Sequence, residues 1–212
     1  APAIETLRAR AAEHERPLYL EGVTAPQRAA LEAALPGRFR FFEDRDDADY
    51  MYSVESFATL SGKKLHGKRN FCNRFEASHD WHYEVLSPGA FDDCRALLQS
   101  WDKEKDGGNA EENEAIERMF QYWDTLGMIG GVLYADGKPA AFTAGERLGS
   151  DTIDVHFEKA PDDLPGAYPM VAREFARQLQ KDLPEIRYLN REEDMGIPGL
   201  RKAKEEWYPM FM

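Results

Sequence analysis

Residues 128–159 read MIGGVLYADGKPAAFTAGERLGSDTIDVHFEK, and three β-strand patterns follow one another within this stretch. The first two patterns, residues 128–134 and 139–146, flank Asp136-Gly137, and an Asp-Gly pair is typical of a tight hairpin turn. A second turn leads into the third pattern at residues 152–159. Strands joined by such short turns run antiparallel, so the sequence predicts a three-stranded meander inside a larger sheet.

Helices and strands are predicted on both sides of this meander. On its N-terminal side lie a strand (82–86), a helix from Ser87-Pro88, a break at Gly107-Gly108 and a helix (111–126). On its C-terminal side lie a helix (167–180), a strand (186–190), a helix (198–205) and a strand (207–211). This order, β-α-α-β-β-β-α-β-α-β, is that of the GNAT superfamily. We therefore predict an α/β fold with a GNAT (acyl-CoA N-acyltransferase-like) mixed sheet flanked by helices.

The first 49 residues have a pattern of their own. Helices at 4–15 and 25–35 alternate with strands at 17–21 and 38–42, which is too few strands for a stable sheet. Either this fragment docks on the rest, or the natural chain begins earlier. Residues 43–49 contain five acids and predict a solvated connector rather than a cation site. We place the domain boundary there, with domains at 1–49 and 50–212.

Composition restricts the class of protein. The chain has 212 residues, of which 42% are hydrophobic and 31% charged, as expected for a globular protein. No apolar run approaches the roughly 20 residues of a membrane-spanning helix, and the first residues do not resemble a signal peptide. Two cysteines indicate a reducing compartment, so we predict a cytoplasmic location. The net charge of −12 disfavours nonspecific binding to nucleic acid or anionic lipid.

The strand at residues 152–159 carries candidate chemistry. Strict alternation would put Ile153, Val155 and Phe157 on one face. The opposite face would then hold Thr152, Asp154, His156 and Glu158. We interpret this polar face as a cleft wall on which His156 and Glu158 move protons or bind an amine. The alternative is an exposed polar face of a curved sheet.

The loop after this strand bears on the cofactor. In GNAT enzymes that use acetyl-CoA, a basic, glycine-rich turn here presents backbone N–H groups to a pyrophosphate. This chain has only Gly166 at the helix start, with Asp162 and Asp163 before it. The negative charges of these two aspartates would repel a diphosphate. The sequence therefore predicts no specific cofactor, and acetyl-CoA or another acyl-CoA stays an alternative with a weak sequence signature.

Two further segments could bind substrate. After the strand at 186–190, Arg191 could bind a carboxylate or phosphate, and the acids that follow could receive an ammonium group. The alternative is a charged loop with Arg–Glu pairs. Residues 63–75 form a basic block that would suit phosphates of tRNA, a lipid headgroup or a nucleotide, unless it pairs with acidic residues 43–49. Its candidate contacts are Lys63, Lys64, His66, Lys68, Arg69, Asn70 and Arg74.

Four motifs together carry a family resemblance. They are DYMYSVE (49–55), GKKLHGKRN (62–70), VHFEKA (155–160) and LNREEDMGIPGLRKAK (189–204). From about residue 16 onward, the chain resembles a bacterial GNAT-like family grouped with the C-terminal domain of phosphatidylglycerol lysyltransferase. The resemblance implies two tandem GNAT-like halves, with residues 1–49 as a remnant of the first.

Relatives in this resemblance, including the Fem peptidoglycan transferases, move an aminoacyl group from aminoacyl-tRNA to an amine or hydroxyl. The resemblance thus implies an acyl or aminoacyl transferase whose acceptor is a small molecule, a peptide or a lipid headgroup. We predict His156 or Glu158 as the base and Tyr168 as the acid. The alternatives are a conventional acyl-CoA N-acyltransferase and a noncatalytic module that binds an amino acid or peptide.

No metal ligands are predicted, and the oligomeric state stays open. Predicted substrate contacts are Asp154, Lys159, Gly166, Asn190, Arg191, Glu192, Glu193, Asp194 and Arg201.

Overall fold

The chain divides into two compact units, Ala1–Asp47 and Ala48–Met212. The computed structural model describes residues 2–104 and 110–212, so the predicted helix break at Gly107-Gly108 lies outside the described residues. Within these ranges, no helix is both long enough and apolar enough to cross a membrane.

The described residues of the first unit form two helices, α1 (Pro2–Glu13) and α2 (Ala25–Ala34). Gln27 accepts a hydrogen bond from the Thr24 backbone N–H at 2.8 Å and so caps the start of α2. The strands predicted at residues 17–21 and 38–42 are wrong, because both segments are irregular. A strand needs a partner for its backbone N–H and C=O groups, and the described part of this unit pairs neither segment in a ladder.

The second unit is built on one mixed sheet of six strands in the order β1-β6-β5-β4-β3-β2. Strands β3 to β5 form the predicted antiparallel meander. Strand β2 pairs antiparallel with β3, and β6 pairs parallel to β5 and antiparallel to β1. The strands are β1 (Met51–Ser53), β2 (Trp81–Val85), β3 (Ile129–Ala135), β4 (Lys138–Arg147), β5 (Thr152–Lys159) and β6 (Tyr188–Asn190).

Helices cover the two faces of this sheet and bury a separate apolar cluster on each. The helices are α3 (Val54–Thr59), α4 (His66–Ser78), α5 (Phe91–Glu104), α6 (Ala110–Gln121), α7 (Trp123–Leu126), α8 (Ala167–Asp182) and α9 (Pro198–Glu205). Helices α3, α4 and α8 contribute to one cluster, and α5, α6 and α7 contribute to the other. Helix α8 connects the parallel pair β5 and β6, which completes the predicted GNAT fold.

Two predicted elements of the second unit differ from the structure. The helix predicted at residues 111–126 is interrupted at Tyr122, between α6 and α7. The strand predicted at residues 207–211 is wrong, since only Phe211 forms a β-bridge, to Met51. Tyr208 has a positive φ of 55°, which is incompatible with a continuous strand.

A β-bulge at His156 changes which side chains of β5 share a face. On β4, Ala144 pairs with Phe157 and Gly145 pairs with Val155, so His156 is an extra residue without a partner in register. Phe157 therefore packs against the α5–α6 cluster, whereas Val155 belongs to the α8 cluster. The predicted alternation is wrong beyond Val155.

Gly145 makes this bulge sterically feasible. A Cβ atom on Gly145 would lie 2.0 Å from the Asp154 carbonyl oxygen, a distance that real Cβ atoms do not reach. Because Glu158 pairs with the buried Thr143, it points to the α8 side of the sheet rather than sharing a face with Asp154.

Candidate functional site

A cleft of about 530 Å³ opens where the paired part of β5 and β6 ends. The two strands pair only from Thr152 to Asp154 on β5 and from Tyr188 to Asn190 on β6. Ligands of open α/β sheets commonly bind beyond the carboxyl ends of such strands, and the volume is within the usual range for small-molecule sites. Predicted site residues that line the cleft are His156, Glu158, Lys159, Tyr168, Arg191, Glu192, Glu193 and Lys68.

His156 lies between two carboxylates at the edge of this cleft. Its Nδ1 is 2.9 Å from Glu192 Oε1, and its Nε2 is 3.2 Å from Glu146 Oε1. The hydrogen bond to Glu192, together with the charge of Asp154, raises the His156 pKa to about 9. Near neutral pH the ring therefore carries a positive charge, which disfavours the predicted role of His156 as a base.

Asp154 completes an acidic group around the imidazole. Burial raises the pKa of the Asp154 carboxyl to about 6, and its Oδ1 has no hydrogen-bond partner among the described residues. Ligand atoms of Asp154, His156 and Glu192 all lie within 4.8 Å of one another. This arrangement could hold a metal ion, a role that the sequence did not predict.

Glu158 and Arg191 form a buried ion pair in the cleft. Glu158 Oε2 lies 2.5 Å from Arg191 Nη2, and the two side chains are only 6% and 10% exposed. The guanidinium carbon lies 5.6–5.7 Å from the ring centroids of Tyr52, Phe57 and Trp207, which form an aromatic box around it. Burial raises the pKa of Glu158, although Arg191 opposes that shift.

Tyr168 lies in the first turn of α8, and its hydroxyl is close to Arg191. Burial of the hydroxyl and the charge of Glu158 raise the Tyr168 pKa above its ordinary value. The phenol therefore keeps its proton at neutral pH. It can donate a hydrogen bond to a substrate oxygen, and its role as an acid stays a prediction.

The N-terminus of α8 does not fit a pyrophosphate. Ala167 N–H already donates to the Leu164 carbonyl at 3.2 Å, and Pro169 has no N–H. Gly166 has a φ of +98°, and a Cβ atom there would lie 2.8 Å from the Phe71 carbonyl oxygen of α4. Gly166 thus permits close packing of two helices, and the residues present do not provide the cradle that acyl-CoA needs.

Part of the loop after β6 is held together by its own side chains. Asp194 is fully buried and accepts hydrogen bonds from Arg201 at 2.7 and 2.8 Å and from the Tyr50 hydroxyl at 2.5 Å. Arg201 accordingly lowers the Asp194 pKa. Asn190 is also buried and bonds Asp49 and the Glu192 backbone N–H. Asn190, Asp194 and Arg201 therefore shape the loop, while its residues 191–193 line the cleft.

Sequence reasoning missed several cleft residues. Lys204 donates to the backbone carbonyls of Arg191 and Glu193, and burial lowers its pKa. Glu112 of α6 accepts a hydrogen bond from the nearly buried Lys159 at 2.6 Å. Glu146 and Trp207 also contact site residues, as described above. The hydrogen bonds among these contacts join residues 10 to 47 positions apart in different elements, so no local spacing indicated them.

The predicted basic block is only partly directed at the cleft. Lys68 lines the cleft, 5.1 Å from the Trp207 ring centroid and 3.2 Å from Glu206. Lys64 is exposed, 5.3 Å from the Tyr208 ring centroid. Lys63 and Arg74 are also exposed. Arg69 instead donates to the carbonyls of Leu60 and Gly62, and His66 contacts both Arg69 and Asn70 at 3.1 Å.

Comparisons with known proteins agree with this fold. The model of the family described as phosphatidylglycerol lysyltransferase, C-terminal, matches residues 1–211. A conserved protein of unknown function from Bacteroides thetaiotaomicron VPI-5482 is 38% identical with a TM-score of 0.90, over 100% of this chain and 72% of that chain. L-PGS from Bacillus licheniformis is 20% identical with a TM-score of 0.57, over 86% of this chain and 61% of that one. This chain thus spans less than two thirds of L-PGS. No curated protein matches it significantly.

Proposed function

Because this chain belongs to the phosphatidylglycerol lysyltransferase C-terminal family, we propose that it is an aminoacyl transferase. The proposed donor is aminoacyl-tRNA, and the proposed acceptor carries an amine or hydroxyl on a small molecule, a peptide or a lipid headgroup. The observation that carries this proposal is the cleft at the end of β5 and β6, where Glu158, Tyr168 and Arg191 meet.

The start of α8 supports a donor other than acyl-CoA. In that turn, Ala167 N–H is occupied, Pro169 offers no N–H, and α4 packs against Gly166. Asp162 and Asp163 add negative charge to the preceding loop. An ester of tRNA requires no diphosphate cradle at this helix. Lys68 at the cleft and the exposed Lys63 and Lys64 could contact its phosphates.

The proposed chemistry needs one proton acceptor and one donor to the developing oxyanion. Glu158 is the proposed base, because burial raises its pKa above the ordinary value and favours proton uptake. Tyr168 is the proposed oxyanion donor, since its raised pKa keeps the hydroxyl protonated. His156, with a pKa of about 9, contributes positive charge between its two carboxylates.

A pair of measurements distinguishes the donors. Filter binding with total charged tRNA should detect a complex, and calorimetry should detect no acetyl-CoA binding tighter than millimolar. Transfer of radiolabelled amino acid from charged tRNA to a panel of hydroxyl and amine acceptors then tests catalysis. Tight acetyl-CoA binding without charged-tRNA binding would favour a conventional acyl-CoA transferase. Binding of charged tRNA without transfer or release of the amino acid would favour a noncatalytic module.

A further inference from the structure

Two buried polar atoms of the Glu158–Arg191 pair have no hydrogen-bond partner among the described residues. One carboxylate oxygen of Glu158 binds Arg191, but the other, Oε1, accepts no hydrogen bond from the described residues. Likewise, Arg191 Nη1 donates to none of them. Both side chains are at least nine-tenths buried, and both line the cleft. Leaving a buried charged group short of a hydrogen bond costs stability, so these two atoms point to a ligand.

The two atoms require opposite hydrogen-bonding partners. Glu158 Oε1 needs a donor, and Arg191 Nη1 needs an acceptor. A hydroxyl oxygen has both capacities, because it donates its proton and accepts at a lone pair. An ammonium group only donates, and its charge would lie beside the guanidinium of Arg191. The pair therefore favours an O–H nucleophile over a protonated amine.

Water satisfies the same requirements as an alcohol. We propose that Glu158 and Arg191 seat one O–H nucleophile, and that water seated there makes this protein an aminoacyl-ester hydrolase when no acceptor is bound. This inference rests on the proposed function for its donor ester. It adds a second activity, hydrolysis, at the same cleft.

The reaction balances without a redox step or a further reactant. The oxygen of water bonds to the carbonyl carbon of the ester while Glu158 Oε1 takes the proton. Tyr168 donates a hydrogen bond to the carbonyl oxygen as it gains negative charge. The ester C–O bond to the tRNA ribose then breaks, and Glu158 returns its proton to the ribose oxygen. The products are a free amino acid and uncharged tRNA.

The test uses total tRNA charged with a mixture of ¹⁴C-labelled amino acids, with no acceptor added. Wild-type protein should release free amino acid faster than buffer alone, and in H₂¹⁸O the released carboxylate should carry one ¹⁸O. Glu158→Gln should lower the release rate by about 100-fold or more, in the range of a lost acid–base group. Glu114→Gln, a change on the exposed face of α6, should leave the rate unchanged.

Glu158→Asp is a second variant that keeps the test valid if Glu158→Gln fails to fold. It retains the charge opposite Arg191 but withdraws the carboxylate by one methylene, so it should fold and still release amino acid slowly. Release no faster than buffer, with transfer to an added acceptor intact, would overturn this inference and leave the proposed function standing. Release of amino acid without transfer to any acceptor would overturn the proposed function and leave this inference standing. Release at the wild-type rate in both Glu158 variants would overturn the assignment to this pair.

Discussion

Arg191 Nη2 lies 2.5 Å from Glu158 Oε2, and both side chains are almost completely buried between the aromatic box and the cleft. Removing one member of a buried ion pair leaves the other charge uncompensated, which typically costs about 3–5 kcal/mol. We expect Arg191→Leu to lower the free energy of unfolding by about that amount in urea denaturation.

The double variant Arg191→Leu, Glu158→Leu provides the matched control. Because it removes both charges, it should recover a large part of the lost stability. If the single and double variants are equally destabilised, the ion pair is not the cause.

Gly145 is expected to be essential for the bulge that separates His156 from the regular register. A Cβ atom there would lie 2.0 Å from a backbone oxygen, so Gly145→Ala must displace β5. Overpacking of this kind costs about 1–3 kcal/mol. Gly149→Ala is the control, since nothing lies within 4 Å of a Cβ atom at that turn. Equal thermal unfolding of the two variants would contradict the bulge.

The protonation of His156 predicts a pH dependence of stability. Its pKa is raised from 6.5 to about 9 in the folded protein, chiefly by the hydrogen bond to Glu192. A raised pKa stabilises the folded state fully below the unfolded pKa, and this contribution is lost as pH rises through about 9. Wild type should therefore lose more stability between pH 7 and pH 10 than His156→Gln.

Proton NMR can follow the same group directly. The His156 ring should titrate with a midpoint near 9 in metal-free wild type and with a lower midpoint in Glu192→Gln. A midpoint near 6.5 in wild type would show that the two carboxylates do not hold the proton.

The basic block predicts a local contact with charged tRNA. Reversing the charge at Lys64 and Lys68, which lie over the Tyr208 and Trp207 rings, should weaken binding of charged tRNA and reduce its salt dependence. We expect at least a roughly tenfold rise in Kd at low salt for Lys64→Glu, Lys68→Glu. Lys138→Glu is the control, because it reverses a charge at an exposed hairpin outside the cleft. This variant should bind charged tRNA as wild type does.

Local sequence patterns predicted most of the second unit but not the β-bulge at His156. The hairpin at Asp136-Gly137 and the helix from Ala167 follow from turn chemistry and helical periodicity, and both are present. The alternation in residues 152–159 is unbroken, so it gives no sign of an extra residue at His156. Gly145, on the partner strand, was the available signal.

The rest of the candidate site depends on contacts between different helices, strands and loops. Glu146, Lys204 and Glu112 lie in ordinary polar positions of their own elements, and only the folded chain brings them to His156, Arg191 and Lys159. The two strands predicted before residue 43 failed for a related reason. Residues 17–21 and 38–42 were predicted as strands from the local sequence, but a strand also requires a partner.

Transfer of labelled amino acid from charged tRNA tests the central claim most directly. Wild-type protein, Lys138→Glu and Tyr168→Phe are compared with the same acceptor panel, and product is measured after the tRNA is removed. The proposed function predicts product with wild type and Lys138→Glu, and a rate lower by about 10²-fold with Tyr168→Phe, because the oxyanion donor is lost. Absence of product with wild type on every acceptor, or an unchanged rate with Tyr168→Phe, would contradict aminoacyl transfer at this cleft.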